Sequence, residues 1–471
     1  MRMHLPDAAR KLIHRVHKGC RNMSRRVVIT GLGPVTGLGL GIKANWRALL
    51  DGRSAVGPIE AFDPSGFDCR VAAEVDDLKV SRFVPKTYRK ATKVMARDIE
   101  MAVAAADLAA RDADLVTKGT ANPKAPDAEL SYQPSRVGAH IGAGLIAAEL
   151  NELTDALIEA RNGQGGFDMH KWGAEGINHL TPLWLLKYLP NMLACHVTII
   201  HDAQGPSNTI TCAEASSELS IGESWRVIQR GAADLCFCGG ADSKLNPMAF
   251  LRQLMTDRYN TADHNDPSTA VRPFCRTAAG CVVGEGGGVA MLEALETFEA
   301  RAANSGVRAY AELAGFGASQ SIHPDRRNLV PDPEGAGIVL AIEAALRDAE
   351  IGPDGIDLIV PFGLGLPESD RAEAEALRAV FGDRLEQVPL ISPKAAVGNC
   401  ASGAGALDVC VAARSIREQI VPAIINCTDP LPGLAAVSAP SRPHAIGHAL
   451  TYSCGMGGQN AALVLRRISD Q

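Results

Sequence analysis

The chemistry-bearing residues of this 471-residue chain concentrate in one run, Gly205-Pro-Ser-Asn-Thr-Ile-Thr-Cys-Ala-Glu-Ala-Ser-Ser217. It reads as a strand that hands one side chain to the first turn of a helix rich in small residues, continuing through Ile221-Gly-Glu-Ser-Trp-Arg-Val-Ile228. Backbone N–H groups point outward at such a helix start and the helix dipole is positive there, so an anion is favoured. Nucleophilic thiolates use the same location to lower their pKa. Cys212 and Glu214 both fall in this run. They are two residues apart and therefore share a face if the strand is regular.

Other candidates are weaker. Gly31-Leu-Gly-Pro-Val-Thr-Gly-Leu-Gly39 follows the apolar run Val27-Val-Ile-Thr30 and reads as a glycine-rich loop. Its spacing fits neither the dinucleotide fingerprint nor the P-loop. His444 and His448 have i, i+4 spacing, but the glutamate of H-E-x-x-H is missing, and Pro443 and Gly447 disfavour a helix. Cys236 and Cys238 alternate within an apolar run, and no C-x-x-C occurs. The twelve cysteines are scattered and read as small buried hydrophobes in a reducing cytoplasm, not as a disulfide framework. No metal site is expected.

These residues need a scaffold, and the length suits two or three domains or one large double domain. Hydrophobic residues make up 46% and charged residues 21%, the balance of a soluble globular protein. A net charge of −6 argues against nucleic-acid binding. No uninterrupted apolar run is long enough for a membrane-spanning helix. Residues 1–24 are basic; they form either an extension or an upstream stretch ahead of a true start at Met23. Beyond Arg25, strand and helix signals alternate. The apolar run at Val27 is followed by a helix over Ala44–Leu50, and strands are expected around Ser135–Gly144, Ala232–Ala241 and Gly287–Glu293. Ala309–Gly317 repeats the opening strand-then-glycine form, Gly337–Glu350 is an amphipathic helix, and Asp357–Val360, Leu390–Ser392 and Ala462–Arg466 read as strands. Thr211–Gly231 and Gly398–Glu418 both run from small residues into a helix. Together these predict two α/β halves, 25–305 and 306–471, of similar plan.

With these motifs in order, the chain resembles the β-ketoacyl-(acyl carrier protein) synthases, the condensing enzymes of type II fatty acid and polyketide synthesis. The resemblance extends from Arg25 to Ile468. It rests on Val27–Gly33, Asn191–His196, the Gly205–Ser217 run, Arg272-Pro-Phe274, Gly284-Glu-Gly286, Ala311–Gly317, Lys394 and Gly457-Gly-Gln-Asn460. It implies a thiolase-like fold, with two pseudo-duplicated halves in αβαβα layers. It also implies a dimer and an acyl carrier protein as partner, with no cofactor beyond the carrier's phosphopantetheine thioester.

The family's chemistry uses one cysteine and two histidines. Aligned without gaps from either end of the core motif, the cysteine position falls on Glu214. The first histidine position is Phe362, in Phe362-Gly-Leu-Gly-Leu-Pro367, and the second is Asn399. Lys394 is retained, as are the acidic positions Asp370 and Glu373, while the gate before Gly-Gly reads Cys454-Gly-Met456. Glutamate cannot readily carry a transferable thioester, and Phe362 has no N–H to donate. Asn399 can donate but cannot become cationic. Losing even one such donor costs about 10²–10³ in rate. The expectation is a non-condensing subunit resembling a chain-length factor, paired with an active ketosynthase as a heterodimer or with itself as a homodimer. Three alternatives stand beside it: a malonyl decarboxylase or acyltransferase using Glu214, a displaced nucleophile at Cys212, and a scaffold or acyl-binding module outside lipid synthesis.

Overall fold

The computed structural model describes residues 25–122, 129–262, 265–303, 306–435 and 437–468. The basic segment 1–24 and the expected boundary at residue 305 lie outside them. Nine strands form the path of one large mixed sheet: β1 (Val27–Thr36), β2 (Val137–Gly142), β3 (Ser207–Ile210), β4 (Leu235–Asp242), β5 (Gly286–Ala294), β6 (Ala311–Gln320), β7 (Leu358–Val360), β8 (His448–Cys454) and β9 (Gln459–Arg466). Their order is β7-β8-β9-β6-β1-β5-β4-β2-β3, with a short strand at Gly39–Leu40 folded back on β1. The order reads the same way outward from β1 and from β6. β1–β5–β4–β2 on one side matches β6–β9–β8–β7 on the other, with antiparallel, antiparallel and parallel pairings in each. β1 and β6 themselves pair antiparallel through Val27–Leu313 and its neighbours, which stitches the halves together.

The helices that matter for the site are α1 (Arg97–Asp112), α2 (Ser216–Gln229), α3 (Ala336–Asp348), α4 (Pro367–Phe381) and α5 (Ala404–Glu418). α1 packs on β1 and β5, and α3 packs on β6 and β9. α2 lies against β2 and β4, α5 against β5 and β8, and the two helices touch each other. The layers are therefore helix, one half of the sheet, helix pair, the other half of the sheet, helix. This thiolase-like arrangement explains why β1 is buried along its whole length, as expected for a sheet covered on both faces.

Two expectations need correction. Gly31–Thr36 is not a loop, because β1 continues through it to Thr36. Gly31 and Gly33 are there for close approach. A Cβ on Gly31 would lie 2.2 Å from the Ala109 carbonyl oxygen, and one on Gly33 would lie 2.1 Å from that of Ala105. The second half repeats the device, with Gly315 against Ala345 and Gly317 against Ala341 of α3, at 2.2 and 2.1 Å. Each strand also has a register shift just before its first glycine of the pair.

The second correction concerns Leu390–Ser392. It is not a strand but a single parallel bridge from Leu390 to Ile359, at the edge where the first half carries β3. Pro389 and Pro393 flank it, so no donor is available on either side to extend the ladder. No helix among the described residues is long and apolar enough to cross a membrane.

Candidate functional site

β3 delivers the chain to a tight turn. Ala213 takes a left-handed conformation with φ 48°, and a 3₁₀ turn over Ala213–Ala215 leads into α2. Ser216 fastens this elbow: its Oγ accepts the Cys212 N–H at 2.8 Å and donates to the Ala213 carbonyl at 2.6 Å. The second half builds the same corner. Ala401 has φ 43°, a 3₁₀ turn covers Ala401–Gly403, and α5 follows. Both φ values cost a residue with a Cβ of order 1 kcal/mol or more, a strain held by the packed helices on either side.

The first elbow points Glu214 into the interior, where it is 1% exposed. One carboxylate oxygen lies 2.8 Å from Nη2 of Arg258 and accepts Nδ2–H of Asn399 at 3.2 Å. The other accepts the Met456 N–H at 2.9 Å. Burial by itself would raise this carboxyl. The charge of Arg258 and the N–H groups of Met456 and Glu214 outweigh burial and hold it below the usual carboxylate range. Glu214 is thus an engaged anion, with three side chain or backbone partners from elsewhere in the chain. Arg258 is equally closed off, at 2% exposure. Sequence reasoning missed it: Asp257-Arg258-Tyr259 is an unremarkable polar stretch, and only the fold carries it to Glu214.

The structure joins Glu214, Asn399 and Met456 directly. It places Phe362, Lys394, Asp370 and Glu373 in an adjoining layer. Phe362 is 1% exposed and packs in the apolar core between α4 and the second half of the sheet. Lys394 is buried, donates to the Pro361 carbonyl at 3.0 Å, pairs with Asp408 of α5, and sits 5.9 Å from the Phe362 ring centroid. Asp370 and Glu373, on α4, pin the loop that carries Phe362. Asp370 accepts the N–H groups of Phe274 at 2.6 Å and Gly365 at 3.2 Å, and Glu373 accepts that of Gly363 at 3.0 Å. Burial raises both carboxyls, Glu373 to about 7.

Two further acids belong to this interior and were not singled out from sequence. Glu218, one turn along α2, accepts the Thr451 hydroxyl at 2.8 Å. Burial, with the nearby Asp408 charge, pushes it up to about 8. Burial raises Asp408 to about 6 against the pull of Lys394.

The thiols here are poor nucleophiles. Burial, with Glu373, Glu218 and Glu214 close by, pushes Cys454 well up, and burial also raises half-buried Cys212. Among the described residues no group of three His, Cys, Asp or Glu is arranged to hold a metal ion. His444 lies in a loop and contacts the Asp357 carbonyl at 3.0 Å, while His448 opens β8, so the pair is not on one helix. A surface cleft is lined by residues such as Leu49, Pro273, Ile391 and Ile424, and includes none of Glu214, Phe362 or Asn399.

Residues 24–297 match the β-ketoacyl synthase N-terminal domain, and residues 310–428 match the β-ketoacyl synthase C-terminal domain. The actinorhodin polyketide putative β-ketoacyl synthase 2 of Streptomyces coelicolor is 33% identical over 451 residues, covering 94% of this chain and 99% of that protein. The 3-oxoacyl-[acyl-carrier-protein] synthase 2 of Coxiella burnetii is 32% identical, covering 95% of this chain and 99% of its own length. Among solved structures, the ishigamide ketosynthase/chain length factor superposes with a TM-score of 0.77 at 26% identity, over 95% of this chain and 100% of the other. The chain belongs to the β-ketoacyl synthase family, as a homologue of the ketosynthases of type II fatty acid and polyketide synthesis.

Proposed function

We propose that this chain is a non-condensing partner of an active ketosynthase, similar in role to a chain-length factor, and that its two halves, 25–305 and 306–471, keep the family scaffold without the family's chemistry. The observation that carries the reading is the Glu214–Arg258 pair. At the elbow where a condensing enzyme needs a thiolate, this chain has a carboxylate already neutralised by a buried guanidinium. Phe362 and Asn399 stand at the two histidine positions. Phe362 is core packing and Asn399 is spent on Glu214. A covalent acyl intermediate and a cationic histidine are both missing from this arrangement.

The relatives point the same way. One is named as a second polyketide β-ketoacyl synthase, and one solved neighbour is a ketosynthase/chain length factor. An acyl carrier protein is the partner that would present the growing chain to such a pair. Large exposed apolar side chains in the segment 145–199, among them Leu145, Ile158, Leu183 and Ile199, suit a surface that a partner subunit covers.

The alternative, decarboxylation or acyl transfer by Glu214 as a general base, needs a carboxylate free to take a proton, with a pKa brought up toward neutrality. Its pairing with Arg258 pulls it the other way. A displaced nucleophile at Cys212 is disfavoured by a thiol raised by burial.

The test is to incubate the purified chain with acyl- and malonyl-carrier protein, alone and co-purified with a cysteine-containing synthase. Native mass spectrometry should show a mixed complex, and 3-oxoacyl product should form only in that complex. Product made by this chain alone overturns the reading.

A further inference from the structure

The surface cleft away from the Glu214 interior opens between the end of the helix Ile42–Leu50 and the loops around Ile391 and Ile424. Leu49, Phe274, Ile391 and Ile424 give it apolar walls. Two backbone hydrogen bonds tie those walls together. Ala423 N–H donates to the Leu49 carbonyl at 3.2 Å, and Ala55 N–H donates to the Ala396 carbonyl at 2.8 Å.

One charged side chain stands in this lining, that of Arg53. It is exposed and has no ion pair among the described residues. The helix end puts it there. Gly52 takes a left-handed φ of 66°, its N–H donates to the Leu49 carbonyl at 3.2 Å, and Arg53 N–H reaches back to the Ala48 carbonyl at 2.9 Å. In this Schellman closure the residue after the glycine frequently adds an apolar contact with the helix. Here that position carries a cation which the fold leaves unused.

The cleft also borders the loop that packs Phe362. Ser392, on the cleft wall, donates its hydroxyl to the Gly363 carbonyl at 2.7 Å, and a Cβ on Gly363 would lie 2.8 Å from the Phe274 ring. Phe274 itself holds a left-handed φ of 57°, a strained state for a bulky residue. Anything seated against Phe274 and Ser392 therefore bears on Gly363.

We propose that this cleft binds a medium-chain carboxylate and that the bound ligand steadies the Phe362 loop. The alkyl chain lies against Leu49, Ile391 and Ile424, and the carboxylate pairs with Arg53. Apolar walls favour the chain, and the single cation at the rim favours an anion over an amine or an alcohol. The site is separate from the elbow, so it stands whether or not the chain condenses.

The experiment titrates the full chain with hexanoate, octanoate and decanoate by isothermal titration calorimetry, with octanol and octylamine as controls. One saturable site is expected, with affinity rising about threefold to fourfold per added methylene. At low ionic strength Arg53→Glu should weaken octanoate about tenfold and leave octanol unchanged. Ala423→Trp, which fills the cleft, should abolish binding of both, with melting temperatures confirming that each variant folds. Saturating decanoate should slow hydrogen exchange at Arg53–Ala55, at Ala423–Ile425 and at Gly363–Gly365. Slowing at the first two without the third keeps the site and overturns its coupling to the loop. Absence of saturable binding, octylamine binding as well as octanoate, or protection confined to Gly455–Gly458 beside Glu214 overturns the proposal.

Discussion

The carboxylate of Glu214 lies 2.8 Å from the guanidinium of Arg258, and each side chain is at most 2% exposed. One arrives from the elbow ahead of α2 and the other from the stretch after β4, more than forty positions along the chain. Two buried charges that answer each other in this way have little freedom to do anything else, and each depends on its partner to remain inside.

Removing one partner should be costly. Arg258→Met and Glu214→Gln are each expected to lose about 3–5 kcal/mol of stability, because the remaining charge is buried unpaired. The double variant should lose much less than the sum of the two. Urea melts of the four proteins in a double-mutant cycle check this.

On the proposed reading, a thiol installed at position 214 should not by itself give condensation. Glu214→Cys alone is expected to yield no 3-oxoacyl product above background, since Phe362 and Asn399 supply neither imidazole. Any gain should require Phe362→His and Asn399→His as well. The readout is product formation from carrier-bound substrates, with folding of each variant confirmed by circular dichroism.

Glu218 makes a pH prediction of definite sign. Its carboxyl is raised from an ordinary 4.5 to about 8, so the folded chain holds a proton that the unfolded chain releases over that interval. The stabilisation is full below about pH 4.5 and is lost as the pH rises through 8, with a slope of up to about 1.4 kcal/mol per pH unit. Glu218→Gln, which cannot ionise, should therefore gain stability relative to the parent between pH 6 and pH 9. Paired thermal melts across that range measure the difference.

Phe362 tests core packing directly. Truncation to alanine is expected to cost about 3–5 kcal/mol, as for other large buried aromatics, and should loosen the Gly363–Gly365 loop. Hydrogen exchange of those amides, which Glu373 and Asp370 hold, would report the loosening.

The glycine pairs give the sharpest steric test. Gly33→Ala and Gly317→Ala each set a methyl 2.1 Å from a helix carbonyl oxygen. Each should cost at least about 1–3 kcal/mol by forcing α1 or α3 off its strand. Loss of soluble protein, or a lowered melting temperature in both variants, is the expected outcome.

Much of this was legible in the chain itself. The alternation of apolar runs and small-residue helices marks strands alternating with helices, because buried strands and amphipathic helices carry local periodicities. The motif around Ala213–Ser217 specifies the elbow and places an acid there, because a tight turn into a helix is a local event. The same local reading misjudged Gly31–Gly39 as a loop. Glycines needed for helix approach and glycines needed for a turn look alike until the helix, more than seventy residues away in sequence, is in place. Leu390–Ser392 failed for a related reason, since its apolar run suited a strand and the bracketing prolines decided how far a ladder could grow. What only the tertiary structure decided is the state of Glu214. A carboxylate's charge depends on what surrounds it, and Arg258, Asn399 and Met456 reach it from distant parts of the sequence.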